Sequence, residues 1–351
     1  MQPSTDSGLA PTGALASGAA RGDLAKGAKI AVIGAGFMGS VIATVYARYG
    51  YRVALHDTQP GMLGGFRDRA LPIAHKLAGP GGSADQILER VTLTAGLGEA
   101  VEGAPLVHEV VQEELPTKQR LFGELDALCD PSVVLATNTS SFLLSEIVTG
   151  VRHRERVVGI HYVTPAHIIP VVEVITAEFT PGELVDWARR FLATIEHVGV
   201  VCRERPGFLV NRIQFAMLSE VYRIVDEGLA TPEDVDAAVR LSLGPRLALW
   251  GPLLTEDLVV SKKTALAVTE YLREQTGDDN YAGRKALKDL VAHGHLGAIS
   301  GQGWYRFGLP HAEVVAQRDR QLSDLLEWLG AIDAVKKIGL ADGATPPGGR
   351  G

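Results

Sequence analysis

The sequence predicts a doubly wound α/β domain followed by an all-α domain, and three observations predict it. From Lys29 to about Arg203, short apolar runs alternate with helix-like segments, the pattern of a mostly parallel sheet covered on both faces. The first run enters a glycine-rich turn, Gly34-x-Gly36-x-x-Gly39. After the breaker Pro206-Gly207 the pattern turns almost entirely helical. A chain of 351 residues is long enough for two domains.

The elements follow in order. KIAVIG is the first strand, and the helix VIATVYARYG, read as amphipathic, follows the glycines. Gly34 permits the tight turn, Gly36 lets the backbone approach a pyrophosphate, and Gly39 lets the helix pack against the strand. Phe37 and Met38 complete this turn, and the helix N-terminus offers free N–H groups to phosphate. The second strand, RVALHD, closes on Asp57, which lies 21 residues after Gly36. A carboxylate there accepts hydrogen bonds from an adenosine ribose diol and repels a 2′-phosphate, so NAD is the expected cofactor. The unit is thus of Rossmann type. LVHEVV is the third strand, and EELPTKQRLFGELDAL is a helix with Leu121, Phe122, Leu125 and Leu128 on one face. VVLATN, VVGIHYV, VVEVIT and VGVVCR are the remaining strands.

The helical domain opens at RERPGFLVNR. FLVNRIQFAMLSEVYRIVDEG is its first helix. TPEDVDAAVRLSL is the second, with Thr231 as N-cap and Pro232 in the first turn, and a long helix runs from about Glu256 to Gln275. The expected organisation is a flexible leader at 1–26, a dinucleotide-binding domain at 27–203, a helical substrate and dimerisation domain at 204–330 and a tail at 331–351. The leader is rich in Gly, Ala, Ser and Pro and lacks the basic segment and apolar stretch of a secretory signal.

Composition excludes several classes. The net charge is −7 with no basic stripe, which argues against a nucleic-acid partner. Two cysteines, Cys129 and Cys202, make neither a disulfide framework nor a zinc cluster; buried thiols in a reducing, cytoplasmic setting are expected, and no metal. No apolar run reaches the roughly 18 residues that a membrane span requires.

Polar residues at strand ends and at the domain junction carry the candidate chemistry. Asn138-Thr139-Ser140-Ser141 ends VVLAT, where side chains face the cofactor crevice. The same residues also suit a strand-ending turn with a helix cap, and His161 also suits a satisfied core histidine. Asn211, in the first helix of the second domain, could equally bridge helices. Glu173 interrupts the apolar run VVEVI, so its carboxylate needs a partner. His161 can be that partner. The carboxylate would hold the imidazole tautomer and stabilise the imidazolium, leaving the other ring nitrogen as a general base.

GAGFMG, NTSS, GIHYVTPAHIIPVVEVI, PGFLVNR and GHLGAISGQGWYRF together resemble the L-3-hydroxyacyl-CoA dehydrogenase family over residues from about 29 to about 308. The spacings also agree: 21 residues from Ser140 to His161, 12 from His161 to Glu173 and 38 from Glu173 to Asn211. PAHIIPVVEV leans toward the side branch that includes λ-crystallin and L-gulonate dehydrogenase. The resemblance implies that His161 is the catalytic base, Glu173 its orienting carboxylate, Ser140 the hydrogen-bond partner of the reacting oxygen and Asn211 a substrate-positioning residue. It places Glu113 and Lys118 near the cofactor ribose, and it implies a homodimer formed through the helical domain and a role in fatty-acid metabolism. The family's usual His-Phe-Phe-Asn-Pro reads His161-Tyr162-Val163-Thr164-Pro165 here, so one hydroxyl at Thr164 replaces a substrate-holding amide. His167 is a further candidate for that pocket. The region from Thr58 to Arg90 holds one lysine, Lys76, with Arg67, Arg69 and Arg90, where fatty-acid members are lysine-rich. The expected substrate is an L-3-hydroxyacyl thioester on coenzyme A or a carrier, or its 3-keto form. Two alternatives stand: a free hydroxy acid such as L-gulonate, and a catalytically idle NAD-binding structural protein.

Overall fold

The computed structural model describes residues 22–332, so the expected leader up to residue 21 and the expected tail from residue 333 lie outside the described residues. Contacts divide the chain into two compact units, with the division between Ser219 and Glu220.

The first unit is built on an eight-stranded sheet. Its strands are β1 (Lys29–Ile33), β2 (Arg52–His56), β3 (Val91–Thr94), β4 (Leu106–Glu109), β5 (Val134–Thr137), β6 (Val157–Tyr162), β7 (Val171–Thr176) and β8 (Val198–Arg203). The order is β3-β2-β1-β4-β5-β6-β7-β8, and every pairing is parallel except β6 with β7. The helices of this unit are α1 (Phe37–Arg48), α2 (Pro60–Gly64), α3 (Phe66–Ala78), α4 (Ala84–Leu88), α5 (Leu97–Val101), α6 (Leu115–Leu128), α7 (Leu144–Ile147) and α8 (Gly182–Thr194).

Strand alternation sorts the core into two layers. Ile30 and Val32 of β1 point into a cluster with Ile42 and Tyr46 of α1, Phe66 of α3 and Trp187 of α8. Ala31 and Ile33 point the other way, toward Phe122 and Leu125 of α6 and Ile147 of α7. This is the doubly wound arrangement, with helices on both faces.

Four local expectations are corrected. α1 is not amphipathic: every side chain from Ser40 to Ala47 is buried, because α3 and the sheet cover it. Leu128 keeps the face of Leu121 and Leu125 but, at the last turn of α6, is 53% exposed. Strand β3, only VTLT and largely exposed, went unread because four residues carry too little periodicity. Cys129 is buried, but Cys202 is only half-buried.

α9 (Val210–Asp226) straddles the division and leads into α10 (Pro232–Ala238), α11 (Gly244–Val259), α12 (Lys262–Thr276), α13 (Lys285–Ala292) and α14 (His311–Ile332). Thr231 caps α10 by accepting the amide of Asp234, with Pro232 in the first turn. The long helix expected from Glu256 to Gln275 is two helices, because Val260 and Ser261 turn extended between α11 and α12.

Candidate active site

The turn after β1 is shaped for a dinucleotide. Gly34 has φ +111°, a left-handed conformation that a side chain rarely adopts. A Cβ on Gly39 would collide with the Gly34 carbonyl, so α1 can approach this closely only with glycine there. Gly36, by contrast, faces open space, with only the Met62 methyl at 4.0 Å. It begins α1 with no side-chain cap and no acidic residue in the first turn, leaving backbone N–H groups free for an anion. Asp57 Oδ2 accepts the Ala35 amide at 2.8 Å and Oδ1 accepts the Gln59 amide at 2.9 Å, so its carboxylate is held at the mouth of the glycine turn. A cavity of about 420 Å³ opens there, lined by Gly34, Gly36, Asp57, Ala95, Leu97 and Val110 among others. Open glycine, free amides and an anchored carboxylate fit the adenosine and pyrophosphate of NAD. Phe37 is 57% exposed beside this turn. Met38 is partly buried, and its sulfur accepts the Thr164 hydroxyl at 3.7 Å.

The Asn138–Ser141 turn follows β5. Asn138 Oδ1 accepts the amide of Tyr162, which ties the turn to β6 beside His161. Glu113 Oε1 accepts the Thr139 hydroxyl at 2.7 Å and the amides of Ser140 and Ser141 at 2.8 and 2.9 Å. Lys118, 1% exposed, lies 3.1 Å from Glu113 Oε2 and 2.7 Å from Glu109 Oε1. Burial pushes the Glu113 carboxyl up, but the Thr139 hydrogen bond and the Lys118 charge outweigh it, and its pKa lies below the ordinary value.

His161 and Glu173 are direct cross-strand partners, because β6 and β7 run antiparallel with these two residues in register. His161 Nδ1 lies 2.7 Å from Glu173 Oε2. The other oxygen, Oε1, accepts the amides of Leu209 and Val210 at 2.9 and 2.8 Å, so one buried carboxylate orients the imidazole and caps the start of α9. Burial pushes this carboxyl up too, and the bonds from His161, Val210 and Leu209 overcome it, so Glu173 sits below the usual carboxylate range. An ionised Glu173 accepts only, so Nδ1 carries the proton and Nε2 presents a lone pair. Asn211 is half-buried in the first turn of α9, one residue past the capped amides. Phe208 precedes it at φ +48°, strained for a phenylalanine, and its 3%-exposed ring packs 5.9 Å from the His161 ring. His167 is half-buried beyond the cis Thr164–Pro165 peptide, and its Nδ1 has no partner among the described residues.

The residues selected from sequence thus gather into the glycine turn with Asp57, the Asn138–Ser141 turn with Glu113 and Lys118, and the His161–Glu173 pair with the start of α9. Glu109, Thr137 and Phe208 were missed. Glu109 carries the same signal as Glu173, a carboxylate within an apolar strand run. Phe208 carries none, because its conformation is decided by the packing of its ring. Among the described residues no cluster could hold a metal, and no helix is long and apolar enough to cross a membrane.

Comparison with known proteins agrees with the dinucleotide-binding fold. Residues 29–205 match the family model of the 3-hydroxyacyl-CoA dehydrogenase NAD binding domain, and residues 207–307 match that of the 3-hydroxyacyl-CoA dehydrogenase C-terminal domain. A 3-hydroxybutyryl-CoA dehydrogenase of Mycobacterium tuberculosis is 32% identical over 285 residues, covering 80% of this chain and 98% of that protein. The λ-crystallin of Oryctolagus cuniculus is 34% identical over 235 residues, covering 65% of this chain and 74% of that protein. The crystal structure of a 3-hydroxyacyl-CoA dehydrogenase from Archaeoglobus fulgidus superposes with a TM-score of 0.74 at 31% identity, covering 86% of this chain and 99% of that one. The chain therefore belongs to the 3-hydroxyacyl-CoA dehydrogenase family, a family of NAD-dependent oxidoreductases, and its cofactor is NAD.

Proposed function

We propose that this protein interconverts an L-3-hydroxyacyl thioester and its 3-keto form, with NAD as the hydride carrier. The observation that carries the reading is the buried His161–Glu173 pair at 2.7 Å, on the sheet that also forms the dinucleotide cradle. When bound, the nicotinamide supplies the electron-pair acceptor for the C3 hydride. His161 Nε2 takes the hydroxyl proton as the hydride leaves, and Glu173 stabilises the imidazolium that forms. Ser140 hydrogen-bonds the reacting oxygen, and Asn211 positions the substrate chain. In the reductive direction the same imidazolium returns the proton.

Two observations favour a second reading, a free hydroxy acid. Thr164 turns its hydroxyl to Met38, where the family's usual segment offers an amide. In the stretch that would meet coenzyme A, Arg67 pairs with Asp85, Arg69 binds the carbonyls of Ala35 and Met62, and Arg90 binds the Gln86 carbonyl. Among the described residues, Lys76 alone of these four cations makes no hydrogen bond or ion pair. The deciding assay is NADH oxidation with acetoacetyl-CoA beside NAD reduction with free hydroxy acids, L-gulonate included. Turnover of the thioester supports the first reading and turnover of only free acids the second. Neither, with NADH still bound, supports the idle protein.

The protein is also read as a cytoplasmic homodimer. α9 has no buried side chain, and Phe215 and Tyr222, seven residues apart and so on one face of the helix, are each 59% exposed, an apolar strip suited to a second copy of the chain.

A further inference from the structure

Glu109 ends β4 at 0% exposure, and both of its oxygens are engaged. Oε1 accepts the Val111 amide at 2.8 Å and lies 2.7 Å from the Lys118 ammonium, while Oε2 accepts the Thr137 hydroxyl at 2.6 Å. Its backbone carbonyl accepts the Asn138 amide at 2.9 Å. Lys118 passes the connection to Glu113, whose Oε1 gathers Thr139, Ser140 and Ser141, with the Ser140 hydroxyl at 3.4 Å. Two carboxylates thus share one buried ammonium, and between them they grip the turn at Thr137 and again at residues 139–141.

A buried ion pair is a poor device for stability alone, since apolar residues of similar volume often do as well. It is a good device for geometry, because charge-assisted bonds are short and directional. The half-exposed Ser140 has only one hydroxyl to offer, and its value to a reaction depends on where that hydroxyl stands.

We propose that Glu109 is a positioning residue of the reaction: it anchors Lys118, and through Lys118 it holds the Glu113 carboxylate that sets the Ser140 turn. The proposal rests on the reading in which Ser140 bonds the reacting oxygen. Without the Glu109 charge, Lys118 has one carboxylate left. It draws Glu113 Oε2 toward itself and turns Oε1 away from the Ser140 and Ser141 amides.

The test is Glu109→Gln, close in size but uncharged, made in the full chain and read in two ways. The first needs no substrate. Hydrogen exchange should quicken by about tenfold at the amides of Ser140 and Ser141 and stay unchanged along β5. The second is turnover on whichever substrate the assays above identify. kcat should fall about 10- to 100-fold, with KM kept within about threefold. Adding Glu109→Gln to Lys118→Met should cost no further activity, because the two act in series. Should Glu109→Gln fail to fold, Glu109→Asp keeps the charge, shortens the reach and gives the same readouts in weaker form. Unchanged exchange at Ser140 and Ser141 overturns the proposal, as does a kcat that survives quickened exchange. A wild type that turns over none of the substrates, while Glu109→Gln still quickens exchange, supports the positioning of the turn and sinks the reading of the reaction instead.

Discussion

The sheet and the helices from α9 onward bury opposite kinds of side chain. The sheet and its flanking helices enclose two large apolar clusters. From α9 onward, the buried hydrophobic residues among those described are Val235, Ala298 and Val314. What that region does bury is charge: Asp257 is 3% exposed and Lys262 0%, and their charged atoms lie 2.6 Å apart. Asp257 also accepts the amides of Trp304 and Tyr305, so the pair anchors the loop around the 3₁₀ turn Ala298–Ser300. In the sheet, Glu109, His161 and Glu173 are buried too, Glu109 at the end of β4 and the other two paired across β6 and β7. Burial of charge therefore does not itself mark a functional site. What sets the His161–Glu173 pair apart is an imidazole whose Nδ1 is taken by Glu173 while Nε2 has no hydrogen-bond partner among the described residues.

This contrast can be broken or sharpened by experiment, beginning with the largest effect. His161→Gln should lower kcat by about 10²- to 10⁴-fold while thermal unfolding and NADH binding stay near wild type. A variant that keeps full turnover removes His161 from the chemistry. Asp257→Ala should do the reverse. It leaves the buried Lys262 ammonium only the partly exposed Glu256, 3.2 Å away, and the helices should lose about 3 kcal/mol in urea unfolding followed by circular dichroism. NADH binding, measured by fluorescence, should persist; its loss would mean that the two regions do not differ as described. Phe215→Glu puts a charge on the exposed face of α9 and should weaken self-association by about 2 kcal/mol, read by sedimentation as a shift toward monomer at low concentration. A sedimentation pattern identical to wild type would remove that face from any dimer contact.

A further effect is a pH dependence, which grows gradually with acidity. His108 is fully buried, with Nδ1 2.8 Å from the Tyr46 hydroxyl and Nε2 3.0 Å from the Ile160 carbonyl. Burial lowers its pKa from 6.5 to about 3; the Ile160 hydrogen bond opposes this, and the charges of Lys118 and His161 add to it. Between those two values the unfolded chain takes up a proton that the folded chain refuses, so stability falls as pH drops through this window and is level above it. His108→Gln keeps a donor and an acceptor but does not titrate. Its stability should change less over the same range, and an equal slope would exclude His108 as the cause.

Much of this was legible in the chain, and the limits have physical causes. Glycine positions are readable because a missing Cβ is a local property. Gly34 needs its left-handed φ and Gly39 its contact with the Gly34 carbonyl whatever lies elsewhere. Glu173 was readable because a carboxylate in an apolar strand demands a partner, and the same reasoning applies to Glu109. Leu128 was misread because helical period assigns a face without saying where the neighbouring layer ends. The break at Val260 and Ser261 was missed because neither residue is a strong breaker.

The sequence by itself determined the dinucleotide turn, the alternation of strands and helices, and the residue types able to transfer a proton, since each depends on chemistry within a few positions. Only the tertiary structure decided that β7 runs against β6. That reversal sets His161 and Glu173 side by side, and it lets the second oxygen of Glu173 reach the amides at the start of α9. Only the fold, too, gave Lys118 two carboxylates and closed Glu113 around the Ser140 turn. Strand direction and ion pairing arise from packing between distant segments, and no local pattern encodes them.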